Sequence, residues 1–250
     1  MKNAITADLI RIQKKKSFII LLIIELVAII GCALITMFVR VTPSKDVDFL
    51  SLVSSMAGMS SLIVGLPIFL AVFSDDFRSH AMQTAIGFGL SRSKLIVARY
   101  IEVFLLFLEA TVFMVITELL MGLAAGVSSS TIVDTCNACW QYLVPTMCYM
   151  AICLLIVYSM RSATFAMVCF IIFTIGVLDG ILAGISAAIP FLRNNNIHLN
   201  YVLPDTMVGK LAINPAFDYR WAMWIVVVVV YVLLPIWLAT RVFRKKELEF

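Results

Sequence analysis

The chain has 250 residues, of which 62% are hydrophobic and 14% charged, with 19 Lys and Arg against 15 Asp and Glu, and its mean hydropathy is +1.04. That composition excludes a water-soluble domain of this length and places the chain among integral membrane proteins. The net charge is +4, and the expected partner of its basic residues is membrane lipid, not nucleic acid.

Residues 1–16 carry Ile5, Leu9 and Ile12 on one helical face, with Lys2, Asp8, Arg11, Lys14 and Lys15 largely elsewhere. This is the pattern of a helix lying flat at the interface near anionic lipid; the bland alternative is a basic tail that only orients the first span. Six apolar runs come next, at about 17–39, 51–73, 95–122, 140–160, 164–189 and 221–240, each at or above the roughly 20 residues that cross a bilayer as helix. The first run is too long for the core of a signal peptide and lacks a small-residue cleavage site, so it is expected to stay attached. The expected fold is all-α and membrane-integral. One domain over 1–250 would hold six transmembrane helices, an N-terminal interfacial helix and a short cytoplasmic helix between spans two and three.

An even number of spans puts both ends on one side. The two tails and the loops after spans two and four hold 14 of the 19 Lys and Arg, which makes that side cytoplasmic by the positive-inside rule. Span two aligns Ser54, Gly58, Ser61 and Gly65, and span five aligns Gly176, Gly180 and Gly184 at four-residue spacing. Such stripes let helices approach closely in lipid, either within one chain or at a subunit interface.

Five acids fall in or near the spans. Glu102 follows Arg99 by one turn and is expected to form an interfacial ion pair, while Glu118 is expected to reach the outer interface. Glu25, Glu109 and Asp179 sit near the middles of spans one, three and five with no mid-span base, where an ionised carboxylate costs at least about 2.5 kcal/mol. They are either neutral groups bonded to neighbouring helices or the lining of a path for a cationic substrate. Cys32, Cys148, Cys153 and Cys169 read as small buried hydrophobes. Cys136 and Cys139 form a CxxC that can close a disulfide in an oxidising compartment, but two thiols are too few for a metal site, and none is expected. The connector 190–220 reads as a loop that partly dips onto the bilayer.

The longest polar interruption, residues 75–99, carries Asp75 and Asp76, then Met82, Ala85 and Ile86 at helical spacing, then Ser91, which can cap a helix starting at Arg92. The acidic pair, the apolar turn, Gly89-Leu90-Ser91-Arg92 and the later Arg99 resemble the permease subunits of type-2 ABC exporters. That family usually has Glu at the acidic position, where this chain offers Asp75 or Asp76, and commonly Lys where it has Arg99.

The resemblance implies that this loop holds a coupling helix gripped by cytoplasmic ATPase subunits, with Asp75, Asp76, Met82, Ile86, Ser91, Arg92 and Arg99 as the coupling residues. It implies a half-transporter in the bacterial plasma membrane, paired with a second permease subunit as homodimer or heterodimer. No Gly-x-x-x-x-Gly-Lys-Ser/Thr occurs in the sequence, so ATP and Mg would be bound by the separate ATPase and this chain would be a transport subunit, not an enzyme. The acidic mid-span residues suggest export of an amphipathic cationic peptide antibiotic or drug, for self-protection or resistance. The alternatives are an ABC exporter of a lipid or glycolipid, an ion-coupled secondary carrier, and a structural or sensory membrane subunit that transports nothing.

Overall fold

The computed structural model describes residues 2–38, 44–74, 86–87, 89, 91–213 and 220–245. Among the described residues every regular element is helical and no strand occurs. Helix α1 (Lys2–Gln13) is followed by α2 (Lys16–Phe38), and α3 (Lys45–Ser60) runs on through a π turn (Ser61–Gly65), α4 (Leu66–Phe69) and a second π turn (Leu70–Ser74). The two longest helices are α5 (Arg92–Ala125) and α6 (Ser129–Met160). After them come α7 (Ala163–Thr174), α8 (Val177–Ala188), α9 (Pro190–Asn194), a 3-10 turn (Leu199–Val202) and α10 (Pro204–Ile213). The last described stretch is α11 (Arg220–Val228), a π turn (Val229–Leu233) and α12 (Leu234–Lys245).

Five helical stretches are long and apolar enough to cross a membrane: 18–35, 45–73, 92–125, 129–160 and 224–244. A sixth is counted if α7 and α8, bent by 55° at their junction, are taken as one. The protein is therefore an all-α chain with the composition of a multi-pass membrane protein.

Three departures from the sequence expectation have local causes. The run 164–189 is not one straight helix. Gly176 adopts φ +77, a left-handed conformation that glycine takes without strain, so α7 ends at Ile175 and Gly176 starts α8 from the other side. Gly176 therefore caps α8, and only Gly180 and Gly184 of the glycine stripe lie on that helix. The fourth run was expected to begin near Trp140, yet α6 starts eleven residues earlier at Ser129. Its start is secured by Ser128, whose backbone N–H donates to Asp46 at 3.2 Å and whose hydroxyl lies 2.9 Å from that of Thr131. The connector after α8 is largely helical up to Ile213, with Pro204 opening α10 and Val208 buried against Cys148 and Val227. It is helical where a loop was expected, and its Phe191 and Val202 stay exposed.

Two of the three described π turns also arise from sequence. Pro67 and Pro235 each stand two residues after one, and a proline removes the N–H of its own turn and crowds the carbonyl four residues back. Widening the preceding turn relieves both defects.

The chain divides into two compact units. The N-terminal unit comprises Lys2–Val72 and Ile101–Leu143, and the C-terminal unit Phe73–Tyr100 and Val144–Phe250. In the N-terminal unit α2 lies against α3, and Ala33, Phe49, Val53, Ala125, Val127 and Ile132 form one core cluster while Ile29, Ala57, Met114 and Cys139 form another. The expected small-residue stripe of span two is used here: a side chain at Gly58 would come to 3.4 Å from the Tyr142 ring, and Ser61 and Gly65 are buried. The C-terminal unit has its core where Cys148, Val208 and Val227 meet, flanked by Trp224, Tyr231 and Val232.

Candidate functional site

The N-terminal unit encloses a group of acids and thiols. Glu25 on α2 is 6% exposed and Glu118 on α5 is wholly buried. Cys139 on α6 donates its thiol proton to Glu118 Oε2 at 2.7 Å. Glu25 Oε2 and Glu118 Oε1 have no hydrogen-bond partner. Glu25, Cys32 and Cys136 each lie within electrostatic reach of Glu118. A cavity of about 10 Å³, the size that one water occupies, opens beside Glu25 between Ala28, Ile29, Met56, Ser60, Ile63 and Met114.

Four buried hydroxyls of the unit are bonded within their own helices. Thr111, Thr117, Thr135 and Ser60 donate to carbonyls of their own helices, Phe107, Phe113, Ile132 and Ala57, at 2.6 to 2.9 Å. This is the usual way that a hydroxyl is satisfied inside an apolar helix. The carboxyls therefore stand out as the polar atoms of the bundle that their own helices leave unserved.

This arrangement corrects the expectation for Glu118, which does not reach an interface. Its burial was readable from helical spacing: Thr111, Met114, Glu118 and Ala125 recur on one buried face of α5, while Glu109, Val112, Ile116 and Leu123 are exposed. Distance along the helix from the membrane edge was the wrong guide, because face decides burial and depth does not. Of the three acids expected at mid-span, Glu109 is exposed and accepts a 2.7 Å bond from Gln13 Nε2 of α1. Asp179, in the C-terminal unit, is half-buried and accepts from the Thr206 hydroxyl at 2.7 Å. Glu109 and Asp179 are thus bonded to neighbouring helices, the first of the two alternatives, while Glu25 is buried with an unpartnered oxygen. Cys136 and Cys139 are free thiols within one continuous helix.

A second polar assembly lies in the C-terminal unit, at the start of α5 and the end of α12. Ser91 accepts from the Lys94 N–H through its hydroxyl and from the Leu95 N–H through its carbonyl, so α5 begins at Arg92 as its sequence suggests. Arg92 donates to the carbonyls of Phe243 and Arg244, each at 3.3 Å, with its guanidinium 5.9 Å from the Phe243 ring centre. Arg244 Nε donates in return to the Ser93 hydroxyl at 2.8 Å. Phe243 is seated against Tyr158, ring centres 5.0 Å apart, and Arg241 stacks 3.9 Å over Trp237. A cation on the last carbonyls of a helix satisfies groups that have no partner within that helix and complements its dipole.

Of the expected coupling residues, Ser91 and Arg92 thus sit in this clasp, Ile86 is half-buried, and Arg99 is 4% exposed one turn before Glu102, itself 1% exposed. Asp75, Asp76 and Met82 lie outside the described residues. Sequence reasoning missed Arg244 and Ser93, whose pairing joins positions about 150 residues apart. Gly180 and Gly184 meet nothing within 4 Å of a built side chain, so the stripe does not pack within this chain at those positions.

No protein-family model matches the chain, and comparison with curated proteins gives no match.

Proposed function

We propose that this chain is the membrane subunit of an ATP-driven exporter of the ABC type, working as a pair in a bacterial plasma membrane with both ends in the cytosol. Separate ATPase subunits, holding ATP and Mg, would grip the loop 75–99. The observation that carries this reading is the clasp: Arg92 and Ser93, at the first turn after that loop, both bond the end of α12. A push on the loop is then delivered to two membrane helices at once, as a coupling element requires. The unpacked Gly180 and Gly184 face of α8 supports a second permease subunit seated there. The proposed cargo is an amphipathic cationic peptide or drug, since among the described span residues acids lack a mid-span base.

One observation favours a second reading, an ion-coupled carrier: the unpartnered Glu25 and Glu118 oxygens in the N-terminal unit. The two readings separate in one experiment. A tagged chain is purified from its native membrane in mild detergent and reconstituted with whatever soluble Walker-motif subunit co-purifies. Export predicts ATP hydrolysis that rises with a cationic amphipathic peptide, and peptide accumulation in inverted vesicles that stops without ATP. Absence of a nucleotide-binding subunit, with peptide movement driven instead by an imposed proton or sodium gradient, refutes the exporter in favour of the carrier.

A further inference from the structure

Three elements of the N-terminal unit meet at the cavity beside Glu25: α2, the end of α3 with the π turn that follows it, and α5 at Met114. The Glu25 side chain is 6% exposed, lines this cavity and leaves Oε2 without a hydrogen-bond partner. The other lining residues are Ala, Ile and Met, with Ser60 as the one exception. Ser60 donates its own proton to the Ala57 carbonyl at 2.6 Å, so its hydroxyl has only lone pairs left to offer. Two acceptors on one apolar space stay unserved unless a group bearing hydrogens stands between them. We propose that one water bridges Glu25 Oε2 and the Ser60 hydroxyl in this cavity, and that Glu25 with this water forms a site that takes up and releases one proton. The site holds whether ATP or an ion gradient drives transport.

Volume and lining select this occupant. About 10 Å³ admits one water and no organic cation. Hard metal cations take about six or more oxygen ligands, whereas this lining supplies one carboxyl and one hydroxyl. A buried carboxylate needs a paired charge or a set of donors, and none of residues 17–38, 46–72 and 101–143 is Lys, Arg or His. The proton is the positive charge that needs the fewest ligands. Of the titratable groups on the helices packed here, Cys32 lies two turns further along α2 and residues 50–65 contribute none. Helix α5 brings Glu118 within electrostatic reach, itself bonded by Cys139 of α6, while its Glu109 is exposed and bonded to Gln13. Ser60 is also the last residue of α3 before the π turn Ser61–Gly65, and such widened turns recur where a helix carries a functional group.

The test is pH-difference infrared spectroscopy of the purified full chain in lipid. The expected result is a carboxylic-acid C=O band that is lost as pH rises and is missing from Glu25→Gln. In Glu25→Asp, which keeps an acid, the band is expected to move and not to vanish, so the assignment stands even where Glu25→Gln fails to fold. Ser60→Ala removes the second partner of the water and is expected to shift the same band to higher frequency, as a more weakly bonded carboxyl absorbs. Two results overturn the proposal. A pH-difference spectrum that is the same in wild type, Glu25→Gln and Glu25→Asp, each folded by its elution and helical circular dichroism, removes the proton site. A Glu25 band that stays in place in Ser60→Ala removes the bridging water.

Discussion

Arg92→Ala tests whether the start of α5 holds the end of α12. The substitution removes two guanidinium bonds of 3.3 Å to the Phe243 and Arg244 carbonyls and the contact over the Phe243 ring. Hydrogen bonds to a charged group contribute about 1.5–3 kcal/mol at good geometry. At this longer distance, and with Arg92 only half-buried, the two bonds together contribute about 1–1.5 kcal/mol, and the ring contact adds about 0.5. The loss of about 2 kcal/mol falls on the last turn of α12, whose local opening then becomes roughly 30-fold more frequent. Hydrogen-exchange mass spectrometry of a peptide covering 237–245 reads that change directly. Ser93→Ala, which removes the 2.8 Å bond from Arg244, is expected to act in the same direction with about half the effect, near 1 kcal/mol. Arg92→Lys rescues only in part, since one ammonium cannot reproduce the planar fork that meets two carbonyls. Exchange within twofold of wild type in Arg92→Ala refutes the clasp. Retained exchange protection with lost ATPase stimulation would instead assign Arg92 to the partner surface alone.

The remaining predictions concern packing and orientation. Gly122→Ala places a methyl 2.9 Å from Ile132 Cγ1 and 3.5 Å from Phe49 Cε1; overpacking of about 1–3 kcal/mol outweighs the roughly 1 kcal/mol that alanine gains in helix, and thermal unfolding in detergent is expected to fall. A rise in unfolding temperature would refute that core. Gly184→Leu meets open space in the chain itself, so monomer stability is expected to hold while cross-linked dimer is lost; an unchanged dimer fraction removes α8 from the subunit interface. For the proposed orientation, cysteine tags before Lys2 and after Phe250 are expected to react only after the cell is opened and a tag at Asn195 in intact cells, and the opposite pattern refutes it.

Helix existence was legible in the sequence because a bilayer demands long apolar runs, and the helical stretches fall close to those runs wherever nothing else secures a helix end. The ends moved where a polar device took over. Ser128 and Asp46 extend α6 outward through residues too polar for a hydropathy window to include. Gly176 was legible as a small residue but not as a break, since the same glycine can serve a close-packed stripe or a left-handed turn, and its tertiary surroundings choose between them. Ser91 was legible as a cap because capping is local in sequence. Its neighbours Arg92 and Ser93 were not legible as a clasp, since their partner Arg244 is set by tertiary packing.

The acids show the same division between local and tertiary information. Charge and depth singled out Glu25, and α2 presents it inward, 6% exposed, beside Ile29, Met56 and Ser60. Glu109 and Glu118 are nine residues apart on one helix, which at 3.6 residues per turn turns the second by about half a revolution relative to the first. One must face outward if the other faces inward. Sequence alone gives both the same cost in lipid; only the partner decides, and α1 supplies Gln13 to Glu109 while α6 supplies Cys139 to Glu118. An amide is a full donor at an exposed position and answers a carboxylate there, whereas a single thiol in a closed bundle answers one oxygen and leaves the other without a partner. The exposed acid is therefore accounted for by its neighbour, and the buried acid only in part.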